Sequence, residues 1–188
     1  MTERRRRQSI RLRDYDYASP GAYFVTICAY QRQPLFQDPP LRQIIQQTWL
    51  DQPRRFPNLA LDAFVIMPNH LHFVIWLGHV GATLAVAPDR AGASPAPTLG
   101  DVIRCFKSSV AVDWLRHPKA NGLERSGRIW QRNYYERVVR GEKELQRARE
   151  YIALNPLEWL LDSENPDRTA DPAYSHEWAW LEGEPVTP

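Results

Sequence analysis

Two apolar runs rich in β-branched residues, Leu59 to Met67 and Leu71 to Leu77, flank a tight Met-Pro-Asn-His connection. A link that short leaves no room for a crossover, so the runs form a hairpin of two antiparallel strands. A further run, Ala22 to Tyr30, follows the turn signal Ser19-Pro20-Gly21 and gives another strand, placed centrally by its aromatic and β-branched content. Between these strands Leu41, Ile44, Ile45 and Thr48 or Trp49 recur at helical spacing, and Pro53 is expected to end that helix.

The second half alternates in the same way. Thr98 is a candidate N-cap with Asp101 in the capping-box position, for a helix running to Leu115 or Arg116. Leu99, Val102, Ile103, Phe106, Val110 and Trp114 form its apolar stripe, with Lys107 at the edge or opposite side. Arg128 to Val139 reads as a fourth strand, and Glu142 to Leu154 as a helix stopped by Asn155-Pro156. The order β-α-β-β-α-β followed by a helix predicts an α+β fold, a ferredoxin-like sandwich with an added C-terminal helix. No internal repeat is present, and Gly78 to Pro97 reads as a surface loop.

Composition narrows the function. A chain of 188 residues with 7 Trp, 8 Tyr and 6 Phe holds one well-filled core, which excludes a disordered chain or a large modular enzyme. Two cysteines, Cys28 and Cys105, lie in apolar segments without metal-ligand spacing, so they read as buried thiols in a reducing compartment, and neither a zinc finger nor a disulfide scaffold follows. No apolar run suits a signal peptide or a membrane span, and the chain is expected in the cytoplasm. Residues 1–156 carry 23 Lys plus Arg against 14 Asp plus Glu, whereas residues 157–188 carry one Arg against eight acids. An excess of nine positive charges favours a polyanionic partner. Three segments are thus expected: a basic arm at 1–14, a folded domain at 15–160 and an acidic tail at 161–188.

His70 and His72 straddle Leu71, and strand alternation puts both imidazoles on one face, where they can meet one divalent ion. Alone, the triplet fits a structural pair better than a site. Tyr151 and Asn155, four apart on the late helix, share a side. A phenolate is a nucleophile and an amide oxygen a metal ligand, but spacing alone also allows a packing tyrosine and a helix stop. Tyr134 and Tyr135 read as packing or base-stacking residues. Arg104, Lys107, Arg128 and Arg132 are candidate phosphate contacts as a group, or ordinary solvated charges. His79, His117 and His176 have no partner at ligand spacing.

Three stretches, Phe64 to Ile75, Trp130 to Val139 and Tyr151 to Pro156, together resemble the single-tyrosine transposases of the insertion-sequence 200 type, above all their relatives associated with repetitive extragenic palindromes (REP). The resemblance covers about Tyr15 to Leu160. It implies a nuclease core of the histidine-hydrophobe-histidine (HUH) class, in which His70 and His72 match metal ligands, Tyr151 the nucleophile and Asn155 a further ligand. It also implies magnesium or manganese as cofactor, and single-stranded DNA bearing hairpins as partner. The activity implied is metal-dependent endonuclease and strand transfer through a 5′-phosphotyrosine, by a monomer or homodimer. A non-catalytic hairpin or single-strand binder and a hydrolytic nuclease using activated water are the competing readings.

Overall fold

The computed structural model describes residue 16, residues 19–78, 97–117 and 128–159, and residue 165. The expected basic arm, most of the loop after Gly78, the Asn121-Gly122 turn, His79, His176 and nearly all of the acidic tail lie outside the described residues.

Four strands make one antiparallel sheet in the order β2-β3-β1-β4, with β1 at Gly21–Cys28, β2 at Leu59–Ile66, β3 at His70–Leu77 and β4 at Tyr135–Val139. Central β1 and β3 are buried on both faces, which is why their sequences read as nearly unbroken apolar runs. The helices are α1 at Pro39–Leu50, a short α2 at Gln52–Arg55, α3 at Leu99–Arg116 and α4 at Glu142–Glu158. This is the ferredoxin-like order with the expected extra helix.

One face of the sheet, built on Tyr23, Val25, Ile27, Leu71, Phe73 and Ile75, packs against α1 and α3. On α3, Leu99, Val102, Ile103, Phe106 and Val110 are buried and Trp114 is half-buried, so the predicted stripe is the observed one. Burial of each such large side chain contributes roughly 1.5–3 kcal/mol. The predicted cap is present too: Thr98 Oγ1 accepts from the Asp101 amide at 3.2 Å, while Asp101 Oδ2 accepts from the Thr98 amide at 3.0 Å. The other face is capped by α4, with Leu145, Ala148, Tyr151 and Ile152 on Ala22, Phe24 and Val74.

Several boundaries differ from those expected, each for a local reason. Helix α1 begins at Pro39, because proline suits a first helical turn and Asp38 Oδ1 caps it by accepting from the Leu41 amide. Pro53 does not end α1. Asp51 does, and Pro53 sits in the first turn of α2. Strand β1 stops at Cys28; Ala29 then makes an isolated antiparallel bridge with Trp130, so the expected strand from Arg128 is a bridge followed by β4 from Tyr135. Strand β2 has a register shift between Leu61 and Phe64. Asn155-Pro156 does not stop α4, which runs through Pro156 to Glu158. Cys28 is buried as expected, but Cys105 is only half-buried, with an Arg55 guanidinium N–H 3.4 Å from its sulfur.

Candidate active site

The turn into α4 is made by Gly141, whose φ of +86° is a left-handed backbone that disfavours other residues. The helix is then tied to both edges of the sheet. Arg137 on β4 donates to Glu144 at 2.6 Å, and Arg149 donates two hydrogen bonds to Asp62 on β2, at 2.8 and 2.7 Å. Trp76 Nε1 donates to the same carboxylate at 2.9 Å. The Arg149 hydrogen bond is the chief reason the Asp62 carboxyl sits below its ordinary value.

That docking brings Tyr151 down onto the histidine pair. Tyr151 Oη lies 3.3 Å from His72 Nε2, their ring centroids are 5.0 Å apart, and the two imidazole centroids are 4.5 Å apart. Phe24 stacks on His72 at 5.4 Å and meets Tyr151 edge-on. His70, His72, Tyr151 and Asn155 are all at least nine-tenths buried. The structure therefore sets Tyr151 on the histidine pair, with Asn155 buried one turn further along α4.

Two positioning residues carried no sequence signal. Asn69 Oδ1 is 2.6 Å from His70 Nδ1, and Thr26 Oγ1 is 2.8 Å from His72 Nδ1. An amide oxygen only accepts, so His70 carries its proton on Nδ1 and leaves the Nε2 lone pair for the site. On His72 both partners are hydroxyls, which can donate or accept, so either tautomer satisfies the two contacts; the one with Nδ1–H donating to Thr26 leaves Nε2 facing Tyr151. Burial, and secondarily the neighbouring His70, hold the His72 imidazole well below its ordinary value, so the ring is neutral near pH 7.

The donor set fits a divalent ion. Neutral imidazoles protonated on Nδ1 would ligate through Nε2, His72 by giving up its contact with Tyr151, and Asn155 Oδ1 is buried without a hydrogen-bond partner, an oxygen that a hard ion would satisfy. Among the described residues no cluster of three His, Cys, Asp or Glu side chains suits a metal, so an ion bound by the histidine pair would need a further ligand of another type, such as an amide.

The candidate DNA-contact cations are dispersed. Arg128 and Arg132 are exposed in the segment leading to β4. Arg104 lies on α3, in the layer behind the sheet, and pairs with Asp101 at 2.6 Å. Lys107, also on α3, donates to the Gln131 carbonyl at 2.6 Å and the Asn133 carbonyl at 3.3 Å. Burial pushes its ammonium down to about 8, against a small opposing effect of Cys28. Lys107 thus braces the segment that holds Arg132. Tyr134 packs against the core, whereas Tyr135 is exposed. Trp159, half-buried at the end of α4, lies 6.1 Å from His70 between ring centroids. A cavity of about 280 Å³ between α1 and α3, lined by Gln43, Gln47, Asp51, Asp113 and His117 among others, is on the far side of the sheet from this chemistry. No described helix is long and apolar enough to cross a membrane.

The fold has a counterpart among solved structures. A solved structure of a REP-associated tyrosine transposase bound to a REP hairpin aligns with 96% of this chain and 100% of its own, with a TM-score of 0.56 at 18% identity. The fold is therefore the one that the sequence resemblance implied. An uncharacterized protein of Haemophilus influenzae is 37% identical over 170 residues, spanning 83% of this chain and 91% of that protein, and the chain belongs to its family. No family model matches the chain.

Proposed function

We propose that the protein is a metal-dependent endonuclease and strand transferase acting on single-stranded DNA beside hairpins, with Tyr151 as nucleophile and His70, His72 and Asn155 as the ligands of magnesium or manganese. The observation that carries this reading is Tyr151 Oη set on two buried imidazoles, with the partnerless Asn155 oxygen one turn further along the same helix. A packing tyrosine needs no orphaned amide beside it. The hairpin partner is taken from the solved transposase, which holds one, and the excess of positive charge over residues 1–156 supports a polyanion.

When bound, the ion supplies Lewis-acid polarisation of a non-bridging phosphate oxygen. The chain supplies the rest. Tyr151 Oη bonds to phosphorus and gives up its proton as the bond to the 3′ oxygen breaks; that oxygen takes up a proton and leaves as a 3′-hydroxyl. One phosphodiester is exchanged for another, a 5′-phosphotyrosine, so a 3′-hydroxyl can reverse the step or join a new strand without ATP. Arg149 and Asp62 keep α4 seated while the phenol is in line.

The test is incubation of the full chain with end-labelled stem-loop DNA and magnesium or manganese, followed by a denaturing gel. A covalent protein-DNA band supports the reading. Binding without any adduct, across varied hairpins, favours a non-catalytic binder; cleavage without an adduct favours activated water.

A further inference from the structure

The strand register lines up one residue from each strand on the face that carries the histidines: Val65 on β2, His72 on β3, Thr26 on β1 and Tyr135 on β4. Helix α4 covers only part of that row. It leaves the end of β4 at Val139 and crosses toward β2 and β3, where Arg149 meets Asp62 and Tyr151 meets His72. At the other end of the row Thr26 is half-buried and Tyr135 is 48% exposed. Among the described residues, an aromatic side chain thus stands half exposed on a shelf that α4 does not cover, two strands from His72 and about 10 Å away between backbones.

Two exposed arginines stand in the segments of chain next to these strands. Beyond β1 the chain turns through Tyr30–Arg32, and this turn is tied to the segment before β4 by Tyr30 N–H donating to the Ile129 carbonyl and Gln131 N–H to the Cys28 carbonyl, at 2.7 and 2.9 Å. Arg32 and Arg132, both exposed, stand in these two adjoining segments. Gln31 and Arg32 are consecutive non-glycine residues at φ 53°, a costly left-handed pair of the kind retained beside working sites. An exposed aromatic ring with arginines in the neighbouring segments of chain is a composition that can take a nucleobase on its π face and flanking phosphates on its charges.

We infer that Tyr135 is the stacking platform for a nucleobase adjoining the phosphate held at the histidine pair, with Arg32 and Arg132 meeting the neighbouring backbone. The inference rests on the proposed function, because it is the scissile phosphate that puts a base within reach of Tyr135. Stacking is tolerant of base identity, so the platform fixes the register of the strand and leaves the choice of sequence to other contacts.

A stem-loop oligonucleotide with thymidine arms and a single 2-aminopurine walked along them reads this directly, because stacking quenches that base. In the Tyr151→Phe background, one arm position should be quenched on binding. Tyr135→Ala and Tyr135→Leu should abolish that quench and weaken binding about tenfold, while Tyr135→Phe keeps both. The three variants should melt within a few degrees of the parent, since the side chain is half exposed. A quench that survives in Tyr135→Ala, or no quenched position in a protein that binds the probe, overturns the platform. Failure of the chain to bind any of the probes removes it along with the DNA reading. The two ideas separate cleanly: an adduct formed by the parent with the quench indifferent to Tyr135 leaves the nuclease and ends the platform. A Tyr135-dependent quench without any adduct does the reverse.

Discussion

Arg149 grips Asp62 through two hydrogen bonds of 2.8 and 2.7 Å, fastening α4 to β2 two residues before Tyr151. The pair is partly exposed on the arginine side, so solvent screening limits its contribution to stability. Arg149→Met should lower the unfolding free energy by about 1 kcal/mol, and a double-mutant cycle with Asp62→Asn should recover most of that as coupling. Urea denaturation measures both, and a coupling near zero would show that the clamp does not hold the helix.

Thr26→Val removes the partner of His72 Nδ1 while keeping side-chain volume. The ring loses the hydroxyl that orients it, so manganese affinity measured by calorimetry should fall about 10- to 100-fold. Asn69→Ala should do the same through His70. Unchanged affinity in both would mean that neither hydrogen bond orients a ligand.

Asn155→Leu replaces a buried oxygen that has no hydrogen-bond partner. In the absence of metal the variant should be more stable than the parent by about 1 kcal/mol, because the desolvated orphan is removed. Its manganese affinity and its cleavage rate should both collapse. Loss of stability without loss of metal binding would mark Asn155 as a structural residue.

These residues show where the sequence was legible. The stripe and cap of α3 and the strands of the β2-β3 hairpin follow from local period and turn chemistry, so they are read directly. The sequence also put Tyr151 and Asn155 on one helical side and the histidines on one strand face. Spacing alone could not bring the two pairs together, and only the family resemblance joined them, because the Arg149–Asp62 contact that seats α4 joins residues 87 apart. Thr26 lies in an apolar strand where nothing marks it until β3 pairs alongside. Pro156 was read as a stop, yet proline this close to a helix end removes only one backbone hydrogen bond, and the turn holding Asn155 persists.

Acid should weaken the fold in two separate windows. His72 is held below its ordinary value by burial, so the unfolded chain takes up a proton from about pH 6.5 downward before the folded one does. The stability associated with neutral His72 is full above about pH 6.5 and is lost as pH falls toward the folded value. Asp62 is likewise held low, by Arg149 foremost, so its contribution is present above about pH 3.9 and is lost as pH falls through the folded value. Urea titrations should show stability declining as pH falls below about 6.5 in the parent, and His72→Gln should flatten that decline. A parent indifferent to pH across this window would contradict a buried neutral His72.

The central claim is that Tyr151 forms a covalent bond to DNA. The direct measurement is the denaturing-gel adduct assay with labelled stem-loop DNA and manganese, run on the parent and on Tyr151→Phe, Tyr134→Phe and Tyr135→Phe, with mass spectrometry of the nucleotide-bearing peptide. The account predicts a metal-dependent band in the parent, its retention in the other two variants, its loss in Tyr151→Phe and a modified peptide containing Tyr151. An adduct that persists at the parent rate in Tyr151→Phe, or that maps to another tyrosine, would contradict it.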